Sequence, residues 1–358
     1  MKRLSEKEWG EFYIGDLFSV SRPKARNKDD YIYGDVPFVA SGAVNNGVMK
    51  CCKGKENEVL DAGNCLTVSP VDGSTFYQPM DFLGRGGAGS SILMLRSDSI
   101  QPDFGQFIAR AVQQTCSKYS YGHMGNKDSI KRERVMLPVD DKGNPDYAYM
   151  TLYSTEVRGR MLMRYKNFIA EQLSQLEYKD IPALDEKKWG HFLIPDVFSN
   201  IQRGKRLKNA DHVLGIIPYV SSTANNNGVD DYVEATAGTR SFSDCISLAN
   251  SGSVGTAFYE PFEFVASDHV TSLKHEGMSK FVYLFLTTTI ERQGSNFNFN
   301  REINDARIKK MQVMLPVSDD GKPDYKYMEQ YAKNMMLRKY EQYLAFIDRQ
   351  SSAEEVNV

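Results

Sequence analysis

No stretch of the 358-residue chain approaches the roughly 18 consecutive apolar residues of a membrane-spanning helix. The opening Met1–Gly10 (MKRLSEKEWG) has no apolar core of the kind a secretory signal needs, so a leader is not expected there. Cysteine is scarce: Cys51, Cys52, Cys65, Cys116 and Cys245 are odd in number and form no CxxC pair. Read along the chain, they do not recur between its two halves. Neither a disulfide framework nor a zinc site is indicated, and a reducing cytoplasm is the expected location. The five histidines (His123, His191, His212, His269, His275) show no metal-ligand spacing. A strong charge of either sign is missing too. With a net charge of −2, the chain is not a polycation that grips nucleic acid by bulk electrostatics. Low-complexity tracts are absent, and 41% hydrophobic with 25% charged residues is ordinary for a globular protein.

What is present is a duplication. MLPVDDKGNPDYAYM (Met136 to Met150) returns as MLPVSDDGKPDYKYM (Met314 to Met328), an offset of 178 (136 to 314). EWGEFYIGDLFS from Glu8 is answered by KWGHFLIPDVFS from Lys188, an offset of 180 (8 to 188). VPFVASGAVNNGV from Val36 is answered by IPYVSSTANNNGV from Ile217, an offset of 181 (36 to 217). So small a drift means one unit repeated with minor loop insertions, and two similar but unlike modules can recognise two things at a fixed separation.

Each half reads as strand-rich α+β. CLTVS (Cys65 to Ser69), SILMLR (Ser91 to Arg96) and CISLAN (Cys245 to Asn250) are short apolar runs bounded by turn residues, hence strands. The "DLF" and "DVF" segments ending at Phe18 and Phe198 are also assigned to strands. Phe104–Gln114 and Lys280–Gln293 have helical apolar spacing. After each PDY, apolar residues recur at threes and fours: Met150, Tyr153, Val157, Met161 and onward to Leu176, then Met328, Tyr331, Met335 and onward to Ile347. Two long helices are expected, each about 35–45 Å, with Asp146 and Asp324 as N-terminal caps. Either each helix closes its own domain, or the two pack as an antiparallel coiled-coil pair, the arrangement the long seams favour. The expected layout is a domain at 1–145, a helix at 146–180, a second domain at 181–323, a helix at 324–350 and a flexible tail at 351–358.

Three regions of each half carry side chains suited to DNA. A basic loop holds Arg22, Lys24 and Arg26 in the first half and Arg203, Lys205 and Arg206 in the second. One such cluster is ordinarily a solvated surface; its recurrence argues for use. An Asn-Asn-Gly segment holds Ser41, Asn45 and Asn46, answered by Ser222, Asn225, Asn226 and Asn227. Asparagine reads adenine bidentately, but Asn-Gly is equally a turn signal. The third region, Tyr119–Arg134 against Phe297–Gln312, is polar, aromatic and divergent, with Lys127, Lys131, Asn298 and Arg301 as candidates. Divergence suits two modules reading different sequences, and surface drift produces it as well.

No catalytic set stands out. GRGGAG (Gly84 to Gly89) spells a dinucleotide fingerprint but is followed by a strand-like run instead of a helix. Asn144-Pro145-Asp146-Tyr147 lacks the second proline of an amino-methyltransferase motif, and Asp140-Asp141-Lys142 has no counterpart in Ser318-Asp319-Asp320. Asp268-His269 beside Ser267 has no nucleophile elbow.

The two Trp-Gly openings (Trp9-Gly10, Trp189-Gly190), the Asn-Asn-Gly turns and the MLPV…PDY…M segments followed by helices resemble the specificity subunit of type I restriction-modification systems over nearly the whole chain. The LPV-x-D-x-G-x-PDY spelling looks closer to the type IIB-like branch. The resemblance implies two target-recognition domains in a pseudo-twofold arrangement, each reading half of a bipartite, asymmetric double-stranded DNA site, with the helices as spacer. It implies a non-catalytic chain with no cofactor of its own, docked to methyltransferase subunits and, in some systems, to a restriction or translocase subunit. S-adenosylmethionine and Mg2+, with ATP for a motor, would belong to those partners. The rival readings are a self-contained DNA-modifying or DNA-cleaving enzyme and a tandem protein-interaction scaffold.

Overall fold

A computed structural model describes residues 2–87, 89, 91–294, 296–298 and 300–356, with side chains through residue 349. Ala88 of the glycine-rich run, the side chains of the expected tail 351–358 and all of its last two residues lie outside the described residues. The chain divides into two compact units, Met1–Tyr165 and Lys166–Val358.

In the first unit, β1 (Trp9–Tyr13) leads into a single-turn helix α1 (Ile14–Leu17) and β2 (Ser19–Ser21). A hairpin of β3 (Tyr33–Val39) and β4 (Val48–Cys52) follows, then β5 (Cys65–Val68), β6 (Thr75–Gln78), β7 (Leu83–Gly84) and β8 (Leu93–Arg96). Helices α2 (Gly105–Cys116) and α3 (Lys127–Lys131), strand β9 (Arg134–Pro138) and the long α4 (Tyr147–Ser174) complete it. The strands form a four-stranded sheet in the order β2-β8-β5-β6 and a three-stranded sheet β4-β3-β7. The first and last strands close the unit: β1 pairs antiparallel with β9, Trp9 opposite Pro138. Leu66, Leu93 and Leu95 of the larger sheet and Ile108 and Val112 of α2 are buried together in the main core.

The second unit repeats this order with β10 (Trp189–Leu193), α5 (Ile194–Val197), β11 (Asn200–Arg203), β12 (Leu214–Val220) and β13 (Val229–Val233). Then come β14 (Ser241–Phe242), β15 (Cys245–Ala249), β16 (Ala257–Glu260), β17 (Phe264–Ala266) and β18 (Val270–Lys274). It ends in α6 (Lys280–Gly294), α7 (Asp305–Ile308), β19 (Gln312–Pro316) and α8 (Tyr325–Val356). Its sheets run β11-β18-β15-β16 and β13-β12-β17-β14, and β10 closes on β19 with Trp189 opposite Pro316. The duplicated α+β architecture expected from the repeat is therefore present.

Two expectations are corrected. The segments ending at Phe18 and Phe198 are α1 and α5, not strands. Ile14, Leu17 and Phe18, like Ile194, Val197 and Phe198, lie at i, i+3 and i+4, the spacing of one helical turn, and turn inward together. One cysteine pair does recur: Cys65 opposes Gln78 as Cys245 opposes Glu260, at the first position of β5 and β15. Both thiols are buried, and burial pushes each up to about 11, which keeps them protonated and inert.

The long helices stand on their own domains. Trp9 stacks on Phe107, which meets Tyr153 of α4 edge-on; Trp189, Phe285 and Tyr331 of α8 repeat the arrangement. Each aromatic pair adds about 0.5–1.5 kcal/mol beyond its buried area. Asp146 accepts the Tyr149 N–H at 2.9 Å and Lys7 Nζ at 2.6 Å; Asp324 accepts the Tyr327 N–H at 3.0 Å and Lys187 Nζ at 2.9 Å. The expected caps are thus in place. The last turns of α4 belong to the second unit. Lys166 pairs with Asp348 at 2.9 Å, and beyond α4 the Asn334 Nδ2 donates to the Lys179 carbonyl at 2.7 Å.

Candidate nucleic-acid interface

Both units present the same small platform: the hairpin loop, the basic loop after β2 or β11, and the connection leaving β7 or β17. The hairpin loops carry an unusual backbone. Asn45, Asn46 and Gly47 have φ of +51°, +56° and +73°, and Asn226, Asn227 and Gly228 have +49°, +53° and +77°. Three consecutive left-handed residues suit only glycine and, next best, asparagine. The Asn-Asn-Gly repetition is thus required by the turn itself.

Side chains on these loops divide into those held by the protein and those left exposed. Arg22 and Lys24, and Lys205 and Arg206, are exposed. Arg203 is half-buried, its Nε donating to the Asp268 carbonyl at 2.5 Å. The expectation for Arg26 is corrected. Its side chain is only 3% exposed, with Nε on Glu58 at 2.7 Å and Nη1 on Asp61 at 2.6 Å. Nη1 and Nη2 also donate to the Gly84 and Val59 carbonyls, so no edge of the guanidinium is left for a phosphate or a base. It is a buried ion cage bracing the basic loop, and the register places apolar Leu207 at its position in the second unit. Asn46 likewise turns inward, donating to the Tyr77 carbonyl and Gln78 Oε1, both at 3.2 Å, whereas Asn45, Asn225, Asn226 and Asn227 are exposed. Ser41 donates to the Ser91 carbonyl at 2.6 Å.

Beneath each hairpin lies a buried polar node that sequence reasoning missed. Gln78 donates to the Asn46 carbonyl at 3.0 Å and to Thr67 Oγ1 at 2.9 Å, tying the turn to the sheet. Its counterpart Glu260 is fully buried; one oxygen accepts from Ser247 at 2.9 Å and the other has no partner among the described residues. Burial, outweighing the Ser247 hydrogen bond, pushes its carboxyl up to about 7.

Each unit also has a cleft beside its hairpin. In the second it holds about 330 Å3 and is lined by Arg206, Lys208, Asn209, Ser222, Asp268 and His269 among others. In the first it holds about 440 Å3 between Ser41 and Gly42 of the hairpin, Val71 and Asp72, Gly89, Tyr121 and Met124. The third sequence region therefore reaches the first cleft, through Tyr121 and Met124. Lys127 and Lys131 do not line it; they sit on α3, where Lys131 packs against Gly15 of α1. Asn298 and Arg301 are exposed, bridge each other and do not line the second cleft.

Ser251, His269 and Asp268 do come together, with Ser251 Oγ 2.5 Å from His269 Nδ1. Ser251 is buried, and Asp268 stands 3.9 Å from Nε2 of the same ring. The serine orients an imidazole and is not itself presented as a nucleophile. Among the described residues, no group of three or more His, Cys, Asp or Glu is placed to hold a metal ion, and no helix is long and apolar enough to cross a membrane.

Two copies of a module built around a basic loop and an asparagine turn define a tandem-repeat recognition scaffold. The chain matches the type I restriction modification DNA specificity domain twice, over residues 6–157 and 186–343, and belongs to that family. The type II restriction enzyme BgcI specificity subunit S.BcgI of Heyndrickxia coagulans is 29% identical over 335 residues, covering 92% of this chain and 94% of that one. Among solved structures, the type I restriction-modification S subunit from M. genitalium aligns over 99% of this chain and 95% of its own, at 15% identity and a TM-score of 0.44. The HsdS subunit from Thermoanaerobacter tengcongensis aligns over 96% and 91%, at 10% identity and a TM-score of 0.33.

Proposed function

We propose that this chain is the non-catalytic DNA-specificity subunit of a restriction-modification complex, each unit reading one half of a bipartite double-stranded site. The observation that carries the reading is the double match to a DNA specificity domain, together with a basic loop at the same place in both units and a cleft beside each hairpin. Exposed Arg22, Lys24, Lys205 and Arg206 supply phosphate contacts; exposed Asn45, Asn225, Asn226 and Asn227 stand at the hairpin tips where base edges would be met.

Methylation and cleavage then belong to partners. A methyltransferase subunit brings S-adenosylmethionine, and a restriction subunit, where one joins, brings Mg2+ and, for a motor, ATP. The similarity to a type II specificity subunit favours a system of that kind, acting in the cytoplasm. Near-neutral net charge suits a reader whose partners share the phosphate grip.

The test is to sequence modified bases in host genomes with and without the gene. Loss of methylation at one bipartite motif is the expected result; an unchanged methylome would refute it. Binding of the assembled complex to that motif should weaken steeply with salt. A protein-interaction scaffold predicts no DNA binding to weaken, and a self-contained nuclease predicts metal-dependent cleavage by the purified chain alone.

A further inference from the structure

We infer that the connection leaving the strand parallel to the hairpin (Arg85–Ser91 in the first unit, Ser267–His269 in the second) carries a base-reading side chain of each half-site: Arg85 for a guanine, and Asp268 with His269 for a cytosine. This rests on the reading above that each unit reads DNA.

The two connections start from one scaffold. Gly84 lies opposite Val39 in β3, and Ala266 opposite Val220 in β12. The next backbone N–H donates to the same hairpin carbonyl in each case: Arg85 to Val39 at 2.8 Å, Ser267 to Val220 at 3.0 Å. They also end alike, Leu93 entering β8 opposite Val68 as Thr271 in β18 lies opposite Leu248. Between these anchors the units diverge. The first has six residues (86–91) where the second has two (268–269). Scaffold is thus held constant while length and chemistry change, beside the hairpin tip and the basic loop.

What fills the gap is built for recognition. Arg85 is partly buried, and among the described residues its buried Nε has no hydrogen-bond partner. Among the described residues no carboxylate pairs with it, and its Nη2 lies 3.4 Å from where a Cβ on Gly89, a residue lining the first cleft, would stand. An uncompensated guanidinium at a cleft is the donor set that guanine O6 and N7 accept. In the second unit the polar groups are held in advance. Ser251 fixes His269 Nδ1, the Asn250 N–H donates to the His269 carbonyl at 2.7 Å, and Ser267 Oγ accepts the His269 N–H at 3.1 Å. His269 Nε2 and the Asp268 carboxylate are left on the cleft wall, with Arg206 Nη1 3.9 Å from Asp268. A carboxylate there accepts from a cytosine amino group and repels the acceptor edge of guanine.

Modified-base sequencing of cells carrying the chain with its native partners tests this, comparing wild type with Arg85→Gln, Asp268→Asn and His269→Ala. Each variant should relax one position of one half-site, with discrimination falling about 5- to 150-fold there. Arg85→Gln should act on one half-site, the Asp268 and His269 variants on the other. Retention of the wild-type motif by all three would overturn the inference while leaving the bipartite reading intact. Loss of all methylation, in these and in the conservative Arg85→Lys and Asp268→Glu, with the complex still assembled, would make the connection structural and overturn it too. A wild-type methylome with no bipartite motif would remove the parent reading and this inference with it.

Discussion

Glu260→Gln in the full chain should raise stability at pH 8 by roughly 3 kcal/mol and change it by less than about 1 kcal/mol at pH 5. Burial lifts the Glu260 carboxyl from 4.5 to about 7, and at about 1.4 kcal/mol per tenfold change in proton affinity that amounts to roughly 3 kcal/mol. The folded state holds a proton through a window in which the unfolded chain has released it. The contribution of this carboxyl to stability is therefore most favourable below about pH 4.5, declines as pH rises toward 7, and stays lowered once the folded carboxyl has ionised. The amide removes the titration, and Gln78 at the equivalent position of the first unit demonstrates that the site accommodates one, bonded to its own hairpin carbonyl. Urea unfolding of both proteins at half-unit pH steps reads the difference directly. A stability difference that stays flat between pH 5 and 8, or a glutamine variant weaker than wild type at pH 8, would refute the reasoning.

Arg26→Ala should destabilise the first unit by about 3–5 kcal/mol, because Glu58 and Asp61 are left facing each other around an empty site. Thermal unfolding measures the loss, and the methylated motif of the surviving complex should be unchanged. Asp324→Ala removes the α8 cap and the Lys187 partner and should cost about 1–2 kcal/mol at neutral pH. Burial raises the Asp324 carboxyl, but the hydrogen bonds from Lys187 and the Tyr327 N–H outweigh it and hold the pKa below 3.8. The cap therefore persists above that value and is lost as pH falls through the lowered one, so wild type and variant should converge in acid denaturation.

Much of this was legible in the sequence because the chain carries its own internal comparison. The repeat predicted the duplicated domains, the two PDY caps and the helices that follow them, and strands β5, β8 and β15 fall where turn residues bracket apolar runs. Where the sequence misleads at Arg26, the physical cause is that partners distant in sequence decide a residue's role. Arg26 looked like one basic residue among several, and only Glu58, Asp61 and two carbonyls reveal it as a brace. Phe18 and Phe198 followed aromatic strands closely enough to be read into them, although the i, i+3, i+4 spacing from Ile14 and Ile194 was already there. The recurrence of Cys65 at Cys245 was hidden by differing neighbours, and strand register exposes it. Arg85 is masked in the sequence by the glycine-rich run around it, whose spacing spells a nucleotide motif that the following strand rules out. The four-residue difference between 86–91 and 268–269 could have drawn attention to it.

The pairing of the first strand with the last, β1 with β9 and β10 with β19, brings the two ends of each domain side by side. A segment whose ends meet is a cassette. Copied in tandem, it needs no new crossing of the chain, only a continuing helix to carry the backbone from one exit to the next entrance. Unequal recombination in the gene could thus produce a doubled protein that folded at once. The halves could later exchange or diverge separately, since the aromatic foot and the capping aspartate that seat each helix travel within the copied stretch.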